Sequence, residues 1–196
     1  MLSERIVLAS RSASRQAMLR QAGVDFEGLP ADVDERALEA DMHGARPDQV
    51  ALALAEAKAL GVPAPGRLVL GSDSLVVLGD RRFDKPASRQ EASEHLREFS
   101  GRVMQLHSAA AIARDGVIEW RHGTLATLTV RDLSDDFIAS YLDAEWPAVG
   151  ECVGVFRLEG PGVQLFERIE GDQFTVLGMP LLDVLGALRD LDALPS

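Results

Sequence analysis

The chain of 196 residues has one cysteine, four histidines and only 20 basic residues against 31 acidic ones. Each shortage removes a class of function. The lone thiol, Cys152, rules out an internal disulfide and fits a reducing cytoplasm, and it stands in no context that marks a nucleophile. His43, His95, His107 and His122 show no close metal-ligand spacing, so they read as surface or polar-core residues. A formal net charge of −11 opposes nucleic-acid binding, whose affinity comes largely from neutralising phosphates. No apolar run reaches the roughly 18 residues of a membrane span, and Met1-Leu2-Ser3-Glu4-Arg5 leads into a short strand without the basic segment and apolar stretch of a signal peptide. No membrane partner is expected. The chain also lacks G-x-x-x-x-G-K-[ST] and has no G-x-G-x-x-G after its first strand, while Glu159-Gly160-Pro161-Gly162 reads as a turn.

What remains is an ordinary globular balance, 46% hydrophobic and 26% charged, in a chain long enough for one core or for two small lobes. One domain, 1–196, is expected. At its centre stands Leu68-Val69-Leu70-Gly71-Ser72-Asp73-Ser74-Leu75-Val76-Val77-Leu78, apolar at most positions as suits a strand covered on both faces. An aspartate in such a strand is costly to desolvate, so Asp73 is either a paired structural carboxylate or a chemical group.

Arg5-Ile6-Val7-Leu8-Ala9 reads as a short buried strand, followed by a hydroxyl-rich turn with Ser10, Arg11, Ser12, Ser14 and Arg15, and then a helix ended by Gly23. Strand, turn and helix start aim unpaired N–H groups at whatever lies above the strand, which makes a natural anion site. Ala31-Asp32-Val33-Asp34-Glu35-Arg36 reads as a solvated acidic turn. Pro47 opens a helix that runs to Leu60, with Lys58 in its last turn, where it complements the helix dipole. Gly79-Asp80 turns the central strand back through Arg81-Arg82-Phe83, leaving Lys85 near the strand tips, and Ser88 with Glu91 forms a capping box for a helix to Phe99. Strands at 105–113 and 117–130 flank Asp115-Gly116, and Ser134 caps a helix to Leu142. Two further strands are expected at 153–158 and 163–169, before a closing helix from Leu181 to Leu191. This order predicts an α/β fold: a mixed, twisted, elongated sheet flanked by helices, with two lobes around a central cleft.

Taken in order, Leu8-Ala9-Ser10-x-Ser12 with Arg15, Val33-Asp34-Glu35, Ala57-Lys58-Ala59, Gly71-Ser72-Asp73, Lys85-Pro86, Ser100-Gly101-Arg102, Leu165 to Asp172 and Gly178-Met179-Pro180 resemble the Maf family of nucleoside triphosphate pyrophosphatases over essentially the whole chain. The resemblance implies a Maf/ITPase-like fold and hydrolysis of a nucleoside triphosphate to the monophosphate and pyrophosphate, clearing non-standard or surplus nucleotides. It implies Asp73 as proton acceptor, Ser10 and Arg15 as triphosphate ligands, Glu35 near metal and water, and Lys58 and Lys85 as phosphate cations. Asp34, Glu35 and Asp73 are expected to supply carboxylates to a divalent metal, Mg²⁺ or Mn²⁺. A homodimer is a further expectation, and a non-catalytic nucleotide-binding regulator of cell division is the alternative reading.

Three positions tied to base choice in the family are Ser14, Ser74 and Glu159 here. Ser74 leans toward pyrimidine-directed members (dTTP or UTP), Glu159 toward those directed to 7-methyl-GTP, and Ser14 matches neither. A serine offers no ring to stack on a methylated purine, so a broad specificity stands beside the other two. The chain also departs from the family pattern at Ala13, Val103 and Met104, the last two removing polar groups from that segment.

Overall fold

The computed structural model describes residues 5–195. Met1-Leu2-Ser3-Glu4, read above for a signal peptide, lies outside them. The chain divides into two compact units, one built from Met1–Ser74, Ser108–Thr124 and Gln173–Ser196, the other from Leu75–His107 and Leu125–Asp172.

The first unit begins with strand β1 (Ile6–Leu8), whose three apolar side chains are all buried. Helix α1 (Ala13–Gln21) starts at Ser12, whose hydroxyl accepts from the Arg15 N–H, and returns the chain to β2 (Phe26–Gly28). The chain then passes through α2 (Glu35–Asp41) and α3 (Pro47–Leu60) into β3 (Val69–Leu78). Both β2 and β3 pair with β1 in parallel, with Val7 facing Glu27 on one side and Val69 on the other. Burial on both faces explains the nearly continuous apolar run of β3, in which only Ser74 is less than fully buried. Leu19 of α1 and Leu188 of the closing helix α6 (Leu181–Asp190) pack in one core with Leu8, Leu70, Ile112 and Met179.

In the second unit β4 (Arg81–Phe83) pairs antiparallel with the end of β3, Val76 opposite Phe83, as the Gly79-Asp80 turn predicts. Helix α4 (Arg89–Phe99) follows Ser88, whose hydroxyl accepts from the Glu91 N–H, while the Glu91 carboxylate reaches the N–H of Ala87 rather than that of the cap itself. Strands β5 (Val103–Arg114) and β6 (Val117–Val130) belong to the second unit only outside residues 108–124, which are part of the first, and they are joined by Asp115 and Gly116, both at positive φ, 50° and 81°. That conformation is the one an Asp-Gly hairpin turn requires. Helix α5 (Asp135–Glu145) is capped by Ser134, and β7 (Phe166–Glu170) pairs antiparallel with β6. The sheet order is β2-β1-β3-β5-β6-β7 with β4 on β3, a mixed sheet flanked by helices.

Three elements differ from expectation. The acidic turn at Asp34 is the N-terminus of α2, its carboxylate accepting from the Ala37 N–H at 3.0 Å. Strand β2 is only three residues long, too short for an alternating pattern to mark it. The strand expected at 153–158 does not form, and Val163 lies in a 3₁₀ segment, Pro161–Leu165. Val155 has φ of 56°, a costly conformation for a β-branched residue, and Gly162 comes so close to Arg157 that a Cβ there would lie 2.5 Å from its carbonyl oxygen. The chain therefore folds back on itself where the apolar run suggested extension.

The hydroxyl of buried Tyr141 donates to the Val155 carbonyl at 3.0 Å and helps hold this fold-back. Tyr141→Phe leaves that carbonyl without its donor and is expected to destabilise the protein by about 1–3 kcal/mol. Denaturant unfolding checks this; a loss within a few tenths would show that the fold-back holds without the hydroxyl.

Candidate active site

Strand β1 lies between two parallel neighbours, and the connections that reach them leave in opposite directions, which makes its carboxyl end a topological switch point. Ser10, the α1 N-terminus and Arg15 follow that end directly. On β3, Leu70 is level with Leu8, so residues 71–74 extend beyond the end of β1. The two-residue period of a strand then divides them. Gly71 and Asp73 face α3, while Ser72 and Ser74 face the Gly178 turn.

Asp73 is 7% exposed, and its carboxylate accepts from the ammonium of Lys58 at 2.6 Å. The same ammonium lies 2.9 Å from the Glu35 carboxylate at the start of α2. Lys58 thus bridges two carboxylates from two different elements, beyond the role of complementing its helix dipole. The approach needs glycine at 71, where a Cβ would fall 2.2 Å from the Ala55 carbonyl oxygen and 2.5 Å from the Ala59 nitrogen. Helix α3 rests directly on the strand backbone, which brings the last turn of α3 within reach of Asp73.

Arg15 is half-buried, and its Nε donates to the Gly178 carbonyl at 2.9 Å. Its remaining nitrogens reach the Ser10 hydroxyl at 3.4 Å and the Ser74 hydroxyl at 3.3 Å. Burial lowers the guanidinium pKa below its ordinary value, against the opposing pull of Asp73 and Glu35. The group remains charged, since an arginine starts too high to lose its proton in a protein. Ser10 is buried, with its hydroxyl accepting from the Ser12 N–H at 3.1 Å.

Ser14 is half-buried in the first turn of α1. Asp34 caps α2 and is exposed. Ser74 turns its hydroxyl to Gly178 and Ser108, inside its own unit. Lys85 and Glu159 belong to the second unit and are exposed, Lys85 pairing with Glu151 at 3.3 Å. In that unit burial pushes the Cys152 thiol pKa up, with Glu159 adding to the effect, so the thiol is held protonated and inert. Val103 is exposed and Met104 buried, in keeping with the loss of polar groups there.

No set of three or more metal-ligating side chains occurs among the described residues. The three-carboxylate set expected from sequence is not assembled, because Asp34 is engaged in its cap and Lys58 takes the space between Glu35 and Asp73. Sequence reasoning missed Ser72, Ser108 and Thr175, which are all buried around the Gly178 turn. Their signal is a contact across more than 60 positions of chain, invisible to any local pattern.

A parallel switch point, a helix start that carries a fixed guanidinium and a lysine-held carboxylate define an α/β protein with charged groups gathered beyond the carboxyl ends of its parallel strands. The chain belongs to the Maf-like protein family, whose model matches residues 5–191. A 7-methyl-GTP pyrophosphatase of Mesorhizobium japonicum is 50% identical over 98% of this chain and 99% of its own length. A nucleoside triphosphate pyrophosphatase of Rhodopseudomonas palustris is 47% identical over 94% of this chain and 92% of its own. Among the described residues no helix is long and apolar enough to cross a membrane.

Proposed function

We propose that this protein is a nucleoside triphosphate pyrophosphatase that hydrolyses the anhydride between the α- and β-phosphates, releasing the monophosphate and pyrophosphate. The observation that carries this reading is the Lys58 ammonium shared by Asp73 and Glu35 within the unit that holds the Ser10–Arg15 turn. The names of relatives close to half identical support it.

The triphosphate lies over the α1 N-terminus, where the fixed guanidinium of Arg15 and the free backbone N–H groups receive its oxygens. Lys58 then has an anion to neutralise other than its two carboxylates. Once the ammonium turns to phosphate, Asp73 is free to accept a proton from the attacking water. The developing charge on the leaving pyrophosphate falls to the cations, which need no reorganisation because the hydrogen bonds of Arg15 are already made.

A divalent cation fits this site in a reduced form. Glu35 and Asp73 already share one cationic group, and Mg²⁺ typically uses only one or two carboxylates, completing its shell with water and phosphate oxygen. When bound, the ion would polarise a phosphoryl oxygen and neutralise charge there.

The names of the relatives favour 7-methyl-GTP as the first substrate to test, while Ser14, which offers no ring for stacking, favours a wider range of bases. Pyrophosphate release measured over standard and methylated triphosphates, with Mg²⁺ and then with chelator, tests both points. The expected result is equimolar monophosphate and pyrophosphate, abolished by chelator. A preference for 7-methyl-GTP above about tenfold in kcat/KM would correspond to a dedicated base contact worth about 1.4 kcal/mol. Orthophosphate as product, or calorimetric binding without any product, would overturn the reading, the latter in favour of a nucleotide-binding regulator.

A further inference from the structure

Arg15 is held by a closed circuit of hydrogen bonds, which the reaction chemistry alone does not require. Its Nε donates to the Gly178 carbonyl at 2.9 Å and its Nη2 to the Ser74 hydroxyl at 3.3 Å. Ser74 is 2.8 Å from the hydroxyl of Ser108, which lies 2.8 Å from the Thr175 carbonyl. That carbonyl also accepts from the N–H of Gly178 at 3.1 Å, and the circuit closes on the residue whose own carbonyl receives Arg15.

The Ser74 hydroxyl also lies 3.0 Å from the Gly178 carbonyl. A serine hydroxyl has one hydrogen, so Ser74 donates either to Gly178 or to Ser108, and Ser108 correspondingly donates to Ser74 or to Thr175. In both arrangements a lone pair of Ser74 faces the guanidinium, and Ser74 joins Arg15 to Ser108 and to the Gly178 turn. The second hydroxyl on the same face of β3, Ser72, is completely buried and donates to Ala109 at 2.8 Å, with the Gly178 carbonyl a further 3.1 Å contact. At Gly178 φ is 100°, and a Cβ there would lie 3.2 Å from the Ser74 oxygen, so the turn passes close to the strand and favours glycine.

We propose that Ser108, acting through Ser74 and the Gly178 turn, is a positioning residue that fixes the guanidinium of Arg15 for the triphosphate. The proposal rests on the pyrophosphatase reading for its substrate, and on the hydrogen-bond circuit for everything else. Ser108 is 1% exposed and touches no substrate. Its effect is to hold a long, flexible cation in one orientation, so that little rotamer freedom is lost when phosphate binds.

The test follows the Arg15 Nε–H resonance in ¹⁵N-labelled protein, identified by its disappearance in Arg15→Ala. In Ser108→Ala its exchange with water is expected to accelerate by at least about tenfold, and KM for the triphosphate to rise by about tenfold with kcat within threefold, as for one lost charge-assisted hydrogen bond. In an Arg15→Ala background, Ser108→Ala should raise KM no further. Ser74→Ala should reproduce the effect should Ser108→Ala not fold. Unchanged Nε–H exchange in both alanine variants, or an equal rise in KM with and without Arg15, would overturn the proposal. If the wild-type protein releases no pyrophosphate from any triphosphate, the functional reading falls, while the exchange measurement still decides whether Ser108 fixes Arg15.

Discussion

Asp73→Asn is expected to reduce pyrophosphate release by about 10³-fold while leaving triphosphate affinity within a few-fold of wild type. General-base catalysis contributes roughly 10²–10⁴ in rate, and the amide keeps the size of the carboxylate without its ability to take a proton. On the proposed reading binding survives, because Arg15 and Lys58, the proposed phosphate ligands, keep partners other than Asp73. Arg15 is held from Gly178, and Lys58 keeps Glu35 at 2.9 Å. The same second partner limits the structural damage. Removing one member of an isolated buried ion pair typically costs about 3–5 kcal/mol, but Lys58 would retain a carboxylate and the Asn oxygen, so a loss toward the lower end or below is expected. Initial-rate measurement of pyrophosphate, beside a calorimetric titration with the same nucleotide, separates the two effects. Turnover within tenfold of wild type would remove Asp73 from its role; equal losses of rate and affinity would make it a binding group.

Much of the fold was legible because its elements announce themselves locally. Pro47 at the start of α3, Ser88 and Ser134 at their helix N-termini and Asp115-Gly116 between two strands all stand where such residues serve a geometric need. The turn that carries Ser10 and Arg15 was legible for the same reason, since strand, hydroxyls and helix start are contiguous in sequence. What was not legible has a common cause in distance along the chain. Lys58 read as a dipole partner because Asp73 is 15 positions away, and the acidic turn read as solvated because nothing local shows that Glu35 meets Lys58. Nor does any local pattern show that the Ser74 hydroxyl lies against the Gly178 carbonyl, 104 positions away. The run at 153–158 misled in the other direction. Its apolar residues are buried as expected at Val155 and Phe156, but they are buried in a fold-back set by positive φ, which periodicity does not encode.

Gly71→Ala is expected to be the most damaging small substitution in the first unit, since it adds one methyl at the point where α3 touches β3. The added carbon would overlap the Ala55 carbonyl oxygen at 2.2 Å and the Ala59 nitrogen at 2.5 Å, both backbone atoms that no rotamer change can clear. Relief requires the helix to move away from the strand. Ala51, Leu54, Ala55 and Ala59, the buried face of α3, would then lose their packing together. A cost above about 4 kcal/mol follows, which marks the exceptional class of single substitutions and can leave no folded protein at 37 °C. The chemistry suffers through the same movement, because Lys58 lies one residue before Ala59, and a shift of about 1 Å in a catalytic group can cost a hundredfold in rate. Gly123→Ala is the matched control. It has no atom within 4 Å of the added carbon and no positive φ, so stability should hold or rise by about 0.4–1 kcal/mol as the unfolded chain loses freedom. Thermal and denaturant unfolding of the two variants, with pyrophosphate release for whichever folds, gives the comparison. A Gly71→Ala protein as stable and as active as Gly123→Ala would mean that helix and strand are not in contact, and that the pairing of Lys58 with Asp73 does not depend on that glycine.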